Sequence, residues 1–177
     1  MQSKTDLRVL KTEKAIREAF LDLRKEVPLE KVRVIDICRR AMINPSTFYK
    51  HYSDVIELSE HMETDLVKRC LQDHNSIDCL LTDPYRYLTG FQSSLSIHEQ
   101  EINIVFRGRS GVLLEKTEQI IREYYLLGDV TEEKKTLVLF IMGGILHCSV
   151  TLNRHRSYPK DVLSRNLADL IERLIKE

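Results

Sequence analysis

The sequence lacks the features that mark secreted or membrane-embedded proteins. Its four cysteines are scattered without a C-x-x-C pair: Cys38, Cys70, Cys79 and Cys148. This spacing argues against a disulfide framework and favours buried thiols in a reducing compartment. No signal peptide is visible, because charged residues interrupt the opening positions. The longest nearly apolar run, Leu137–Leu146, is too short to span a bilayer. We therefore expect a cytoplasmic protein without a membrane segment.

Patterns for catalysis and for cofactor or metal binding are also missing. The six histidines form no triad and no metal-ligand spacing: His51, His61, His74, His98, His147 and His155. His147 and Cys148 are adjacent, so on a helix they point about 100° apart and make a poor chelating pair. His74 and Cys79, with neighbouring aspartates, suggest either a zinc loop or a solvated loop, and the second is favoured. No glycine-rich phosphate loop is present. We expect a protein that is not an enzyme and has no cofactor.

The chain has no net charge, yet the two signs are unevenly distributed. Residues 1–53 carry 12 lysines and arginines against 7 acidic residues, whereas residues 54–177 carry 15 against 20. A basic amino-terminal third suits contact with phosphates, which supply most of the non-specific affinity for DNA. A chance imbalance on a solvated surface would look the same, so charge alone does not decide between the two interpretations.

Strand-like alternation is scarce and helical periodicity dominates, which predicts an all-α fold of about nine helices. The first helix is expected to start at a Thr12 cap and to end before Pro28. Its apolar stripe would be formed by Ile16, Phe20, Leu23 and Val27. The second and third helices are expected at Arg33–Arg40 and Pro45–Tyr52. A long fourth helix is expected to follow a cap at Ser53 or Asp54. The remaining helices are expected over 85–97, 99–107, 111–127, 132–154 and 159–176. The polar stretch Gln72–Pro84 is expected to be a loop.

Residues 31–53 read as two short helices joined by a tight turn. Ile37 and Ala41 share a face at i,i+4, as do Phe48 and Tyr52, and Ile43 lies in the turn between these pairs. The inner faces would then pack together and leave the outer face of the second helix free. That face would carry Ser46, Thr47, Tyr49, Lys50 and His51. The pattern is typical of a helix-turn-helix, whose second helix lies in the major groove of DNA.

The same residues resemble the DNA-binding segment of the TetR family of bacterial transcriptional regulators. The resemblance rests on Val34-x-Asp36-Ile37-Cys38-x-x-Ala41-x-Ile43-Asn44-x-Ser46-Thr47-Phe48-Tyr49-x-His51-Tyr52 and covers residues 8–60. It implies a DNA-binding domain at 1–53 and a helical ligand-sensing and dimerisation domain at 54–177. It also implies double-stranded DNA with an inverted-repeat operator as the partner.

The resemblance implies individual DNA contacts. Phosphate contacts are implied for Tyr49 and His51. Base or phosphate contacts are implied for Asn44, Ser46, Thr47 and Lys50. Arg33 stands where the family commonly has a small hydroxyl residue that touches the DNA backbone. Lys4, Arg8 and Lys11 form a basic arm that could lie along or in a minor groove.

Three positions depart from the family pattern. Met42 occupies the turn position that is usually glycine, so a positive φ there would cost about 1 kcal/mol. Pro45 stands at the DNA-facing position where many members have Lys or Arg. Val55 replaces the lysine that commonly opens helix four and meets a phosphate. Two missing cations would lower DNA affinity and reduce its salt dependence.

The last two predicted helices carry wide apolar faces that either close the core of the subunit or pair two subunits. TetR-like proteins dimerise through these helices, so the resemblance implies a homodimer with this interface: Ile141, Ile145, Cys148, Leu152, Leu163, Leu167, Leu170 and Leu174. A dimer would present two recognition helices about one turn of DNA apart. Two tethered headpieces also gain affinity through effective concentration.

The family's effectors bind inside the carboxy-terminal helices, which implies a pocket here. Its candidate lining residues, which are as easily explained as plain core, are Met62, Leu66, Tyr87, Phe91, Phe106, Tyr124, Phe140 and Met142. The main hypothesis is a DNA-binding repressor that a small molecule releases. The alternative follows from residues 140–155, FIMGGILHCSVTLNRH, which resemble DhaS-like regulators. Under that alternative, a partner protein controls the regulator, whose own DNA binding is weak.

Overall fold

The computed structural model describes residues 4–72, 77–125, 131–154 and 159–176, and these are helical without a β-strand. The described helices are α1 Lys4–Glu26, α2 Val34–Ala41, α3 Pro45–Phe48, α4 Val55–Gln72, α5 Ile77–Thr82, α6 Pro84–Ile97, α7 Glu99–Val105, α8 Ser110–Tyr125, α9 Glu132–Arg154 and α10 Lys160–Lys176. The predicted all-α fold is confirmed. None of these helices is long and apolar enough to cross a membrane.

The described residues form two compact units. The first contains residues 4–65 together with 100–108, and the second contains 66–99 together with the described residues from 109 onward. The first unit therefore extends past the predicted boundary at residue 53 and takes in a segment that is distant in sequence.

The first unit, called the headpiece below, has an apolar core at the junction of its first four helices. Ile16 and Phe20 of α1, Ile37 of α2, Phe48 of α3 and Leu58 of α4 are each fully buried. The predicted stripe on α1 thus faces this core. Arg40 Nη2 at the end of α2 donates to both carboxylate oxygens of Glu26 at the end of α1, at 2.7 and 2.8 Å.

A buried arginine joins the two sequence segments of the headpiece. The side chain of Arg24 is fully buried. Its guanidinium donates to the carbonyl oxygens of Val27 at 3.0 Å, of Val105 at 3.3 Å and of Arg107 at 3.4 Å. Arg107 Nη1 donates in return to the Lys25 carbonyl oxygen at 2.9 Å. A buried guanidinium needs acceptors and helix ends leave carbonyls free, so these carbonyls supply acceptors for both terminal nitrogens of Arg24.

The second unit is built around α6, along which α10 packs, with α5 against α6 and α8 against α9. The Tyr87 hydroxyl of α6 donates to Met142 Sδ of α9 at 3.5 Å. Tyr87 and Phe91 stack at 6.4 Å between ring centroids and are buried. Apolar residues of α8, α9 and α10 complete the buried set, including Ile121, Val138, Met142 and Ile171.

Two local predictions are wrong. Thr12 does not cap α1, because the helix already begins at Lys4 and the Thr12 hydroxyl donates to the Arg8 carbonyl oxygen four residues earlier. The predicted loop Gln72–Pro84 contains helix α5, whose Leu80 is fully buried. Asp83 caps α6 by accepting from the Arg86 amide at 3.1 Å. Composition alone could not distinguish this short helix, with its one fully buried side chain, from a loop.

Candidate nucleic-acid interface

The turn between α2 and α3 depends on a left-handed residue. Met42 has φ 53° and ψ 45°, and its side chain is 91% exposed. Its amide bonds back to the Arg39 carbonyl, and the Ile43 amide reaches the Cys38 carbonyl at 3.0 Å. These are the two hydrogen bonds of a Schellman helix ending, which normally has glycine at the left-handed position. Met42 therefore has the positive φ for which the sequence analysis gave a cost.

The second helix of the motif begins at Pro45, as predicted, in the first turn, where a missing N–H costs nothing. The regular helix ends at Phe48, but helix-like hydrogen bonds continue. The Tyr49 amide donates to the Pro45 carbonyl at 3.0 Å, and the Tyr52 amide donates to the Phe48 carbonyl at 3.0 Å. The backbone of residues 45–52 therefore follows a helix-like path throughout. Its second half is a series of turns, however, and not the full helix that was predicted.

The underside of this segment is fixed in the headpiece. Phe48 is fully buried and Tyr52 is 3% exposed, and the Tyr52 ring contacts Phe48 at 5.9 Å between ring centroids. Burial raises the pKa of the Tyr52 hydroxyl. That hydroxyl donates to Glu13 Oε1 at 3.4 Å, while Arg17 pairs with Glu13 at 3.0 Å and with Asp65 at 2.6 Å. The Tyr52 hydroxyl thus ties the segment to α1, and Arg17 ties α1 to α4.

The opposite side of the segment is a polar surface open to solvent. Asn44, Pro45, Ser46, Tyr49 and Lys50 are exposed. Thr47 and His51 are half-buried beside them. We call these seven residues the recognition surface. It contains one lysine, two hydroxyls of small side chains and an amide, a composition suited to phosphates and base edges.

Arg33 is the residue that precedes α2. Its guanidinium donates to both carboxylate oxygens of Asp36, at 2.8 and 3.3 Å, and its side chain is 72% exposed. The guanidinium holds the pKa of the Asp36 carboxyl below its usual range. The predicted phosphate contact of Arg33 would therefore compete with an existing ion pair.

The predicted basic arm is helical. Lys4 is the first residue of α1, and Arg8 and Lys11 are exposed along the same helix. The Lys4 side chain lies outside the described residues. Lysine, arginine and leucine are good helix formers, which explains why α1 continues through this segment. A minor-groove contact would therefore come from the start of a helix, not from an extended arm.

Val55 differs from Met42 and Pro45, the other two departures from the family pattern, because its side chain is part of the headpiece core. It opens α4 and is 9% exposed, packed with the cluster around Phe48. A lysine at this position would have to turn its charged end out of that core. Pro45, in contrast, is exposed, so core packing does not prevent a lysine or arginine at this position.

The eight candidate pocket residues belong to different parts of the protein. Met62 is buried in the headpiece core, and Phe106 also belongs to the headpiece. The second unit buries Leu66, Tyr87, Phe91 and Met142. Phe140 is 69% exposed, so the subunit alone does not enclose it. The side chain of Tyr124 lies outside the described residues.

The eight candidate interface residues also separate by burial. Ile141, Ile145 and Leu163 are buried within the subunit. Cys148 and Leu167 are half-buried. Leu170 and Leu174 are 55% and 44% exposed, which leaves them available to a second subunit. The Leu152 side chain lies outside the described residues, as does His74 of the zinc-loop alternative. Among the residues that the structure describes, no group of His, Cys, Asp or Glu side chains could hold a metal ion.

Sequence reasoning missed Arg24 as a positioning residue. It lies four residues after Phe20, on the buried side of α1, where a cation is out of place in an apolar stripe. That misplaced charge was the available signal. Two of the carbonyl groups that Arg24 binds lie about 80 residues later in the chain. Because every residue has a backbone carbonyl, the sequence does not identify them as partners.

Comparison with known proteins finds chains of similar sequence and structure. The chain is 25% identical over 184 aligned positions to an uncharacterised HTH-type transcriptional regulator, YxbF, of Bacillus subtilis (strain 168). The alignment covers 97% of this chain and 47% of YxbF, so the chain spans about half the length of that relative. A similar solved structure is the TetR family repressor AlkX of Dietzia sp. strain DQ12-45-1b, with a TM-score of 0.46, 14% identity and coverage of 93% and 95% of the two chains. No family model matches the chain.

The headpiece contains the two short helices and the tight turn of a helix-turn-helix. The motif of residues 34–52 resembles that of the TetR family, and the similarity to an HTH-type regulator agrees with it.

Proposed function

We propose that this chain is a TetR-like transcriptional regulator that binds double-stranded DNA through the recognition surface of its headpiece. One observation carries the proposal: the polar row from Asn44 to His51 is turned outward, while Phe48 and Tyr52 of the same segment are buried. A segment so fixed presents its side chains without a large loss of entropy on binding.

The roles within the recognition surface follow from chemistry. Lys50 supplies a cation that has no carboxylate partner among the described residues, which suits a phosphate. The Tyr49 hydroxyl and the His51 ring donate to phosphates on either side of the groove. Asn44, Ser46 and Thr47 carry short groups that reach base edges or phosphates.

The proposal includes a homodimeric repressor that a small-molecule effector releases. The exposed Leu170 and Leu174 of α10 and Phe140 of α9 support a second copy of the chain as partner. Helix α4 contributes residues to both units, so a ligand that favours one position of α4 would bias the headpiece. A coupling of about 3 kcal/mol would reduce DNA affinity more than a hundredfold.

The alternative is a TetR-like regulator that a partner protein controls and that binds DNA weakly. The burial of Val55 favours it, because core packing has replaced one expected cation and Pro45 has replaced another.

The test is the binding of short duplexes that tile the DNA beside the chain's own gene. The double variant Tyr49→Ala/His51→Ala should bind its best duplex about a hundredfold more weakly, since each lost phosphate contact contributes about 1.5 kcal/mol. Fluorescence anisotropy gives the affinities, and circular dichroism should show an unchanged helical content because both side chains lie outside the core.

The matched control is Lys14→Ala, which removes an exposed cation of α1 that pairs with Glu18 outside the recognition surface. Its DNA affinity should stay within about threefold of the parent. Equal DNA binding by the double variant and the parent would mean that another surface reads DNA. Uniformly weak binding of every duplex by the parent would favour the partner-controlled alternative.

A further inference from the structure

Three parts of the headpiece meet around the side chain of Arg17. Its Nη2 pairs with Glu13 Oε1 of the same helix at 3.0 Å, and its Nη1 pairs with Asp65 Oδ2 of α4 at 2.6 Å. The Tyr52 hydroxyl, at the end of the segment 45–52, donates to the same Glu13 oxygen at 3.4 Å. We call Glu13, Arg17, Tyr52 and Asp65 the Arg17 network.

The spacing of residues on α1 and α4 places Tyr52 between these two helices. Glu13 and Arg17 are four residues apart and lie on one face of α1. On α4, His61 and Asp65 are also four residues apart and share a face. The Tyr52 ring contacts the His61 ring edge-on, at 5.6 Å between centroids. Both helices therefore direct network or ring contacts toward the end of the segment.

The ion pairs of the network are shielded from solvent more than most surface pairs. The Arg17 side chain is 28% exposed, compared with 77% for Lys14 and 72% for Arg33, which also form ion pairs. Partly buried pairs are screened less by salt and keep their geometry better than exposed pairs. Burial raises the pKa of the Tyr52 hydroxyl, and the Arg17 guanidinium opposes that rise, so these two side chains also interact directly.

Apolar burial and the network make different contributions to the segment 45–52. The burial of Phe48 holds the segment against the core, but hydrophobic contact has no preferred direction. Hydrogen bonds and a two-pronged guanidinium do have preferred directions. The network therefore supplies the element that fixes the angle of the segment on the headpiece.

The two kinds of DNA contact differ in how much they depend on that angle. A base edge is read through hydrogen bonds, which weaken steeply when distance or direction is wrong. The attraction between a cation and the phosphates falls slowly with distance. An error in the angle of the segment would therefore reduce the preference for one sequence more than the affinity for DNA in general.

We propose that Arg17 is a positioning residue for DNA recognition, which fixes the angle of the segment 45–52 through Glu13 and Tyr52 and so sets the preference for one DNA sequence over others. This inference rests on the proposed DNA binding and adds to it a residue outside the recognition surface. Both terminal nitrogens of Arg17 are already paired with carboxylates, so it acts through its partners.

The test compares affinities for the best of the tiled duplexes and for a random-sequence duplex of the same length, by fluorescence anisotropy. Arg17→Met keeps the aliphatic bulk and should lower the ratio of these affinities about tenfold, as expected when a base contact is misplaced. Its affinity for random DNA should stay within about threefold of the parent, with the same salt slope, because the recognition surface keeps its lysine.

Tyr52→Phe removes the hydroxyl and keeps the buried ring. It should lower the same ratio about three- to fivefold, because the segment loses its bond to Glu13. The double variant Arg17→Met/Tyr52→Phe should lose no more than Arg17→Met alone, since residues that act through one network are not additive. Losses that multiply in the double variant would show that the two residues act separately, which would overturn the inference.

Arg40→Met is the matched control, because it breaks a different ion pair of the headpiece, between α2 and Glu26 of α1. Its affinity ratio should equal that of the parent, even where its thermal unfolding midpoint falls as far as that of Arg17→Met. A ratio that simply follows the midpoint in both variants would indicate a structural role alone and would overturn the inference.

Amide hydrogen exchange without DNA tests the positioning directly. The amides of Tyr49 and Tyr52 form the helix-like bonds of the segment. They should exchange about tenfold faster in Arg17→Met than in the parent, and at the parent's rate in Arg40→Met. Unchanged exchange of these amides in Arg17→Met would overturn the inference whatever the DNA titrations show.

The failure of this inference can be distinguished from the failure of the proposed function. A parent that binds no duplex better than random DNA would refute the proposed regulator and, with it, a role of Arg17 in sequence preference. A parent with a clear preference that Arg17→Met retains would refute only the role of Arg17.

Discussion

Met42 is the residue at which the headpiece stores backbone strain. Its φ of 53° places a long side chain in the left-handed region, where L residues with a Cβ lose about 1 kcal/mol relative to glycine. The side chain is 91% exposed and returns little packing energy in exchange. The turn is kept because its two hydrogen bonds orient the recognition segment.

We expect Met42→Gly to raise the free energy of unfolding by about 1 kcal/mol, because the strain disappears although the unfolded chain gains some freedom. Urea unfolding followed by circular dichroism measures the change. Met42→Ala should be close to neutral, since alanine keeps the strain and the lost side chain was in solvent. A gain for alanine equal to that for glycine would show that the side chain, and not the backbone, is unfavourable.

The two positions at which the headpiece lacks an expected cation, Val55 and Pro45, have different surroundings. Val55 contributes to the core, so a lysine there would exchange packing for charge. Pro45 is exposed on the recognition surface, where a longer cationic side chain meets no neighbour that it must displace. Only the second position offers a clean gain of function.

We expect Pro45→Lys to tighten non-specific DNA binding and to steepen its salt dependence by about one unit in log–log slope, because one more phosphate is neutralised. Anisotropy titrations with a random-sequence duplex over a range of salt measure this slope. Ser93→Lys adds the same charge on an exposed site of α6 and should leave the slope unchanged. Equal slopes for the two variants would place residue 45 away from phosphate.

At the scale of elements, the sequence predicted helices well where one face is apolar over several turns. The bounds of α6, α8, α9 and α10 fall within two residues of expectation. It failed at the start of α1 and for the short helix α5. Thr12 resembles a cap only if the preceding residues are ignored, and the six residues of α5 are too few for periodicity to show.

The start of α4 was predicted from its capping residues, and the structure confirms Asp54 as the cap. Asp54 Oδ1 accepts from the Glu57 amide at 2.8 Å, and Glu57 Oε2 accepts from the Ser53 amide at 2.5 Å. This reciprocal pair is close to a capping box. The hydrogen bonds from Ser53 hold the pKa of the Glu57 carboxyl below its usual value.

A lowered carboxyl pKa predicts a pH dependence with a definite sign. The Glu57 contact stabilises the fold above the unfolded pKa, about 4.3, and is lost as pH falls through the lower folded value. We therefore expect Glu57→Gln to make the acid-side loss of stability shallower in urea unfolding at a series of pH values. Glu60→Gln, exposed on the same helix, should follow the parent. A parent-like slope for Glu57→Gln would mean that its carboxylate does not stabilise the cap.

At the scale of the whole molecule, the candidate site was more predictable than the division into units. The recognition surface lies in one continuous segment, so its alternating buried and exposed positions appear directly in the sequence. The headpiece, in contrast, is completed by residues 100–108, which Arg24 holds through backbone carbonyls. Carbonyl acceptors are the same for every residue type, so such a contact has no sequence pattern.

The carboxy-terminal helices α9 and α10 expose several large apolar side chains. Phe140, Leu170 and Leu174 are 69%, 55% and 44% exposed. Gly143 and Gly144, on the same turn region of α9, have open space where a Cβ would stand. Glycines beside exposed apolar residues permit close approach of another helix. These features support the proposed homodimer.

We expect Leu170→Glu to convert the proposed dimer to monomers, because a carboxylate in an apolar interface would lose its hydration without a partner. Sedimentation velocity over a range of protein concentrations measures the mass, and circular dichroism should show that the helices persist. Ile97→Glu is the matched control, since Ile97 is 74% exposed but lies at the end of α6. The control should keep the mass of the parent. Because a half-site alone binds weakly, the monomeric variant should also lose operator affinity, whereas a dimer that survives Leu170→Glu would move the interface away from α10.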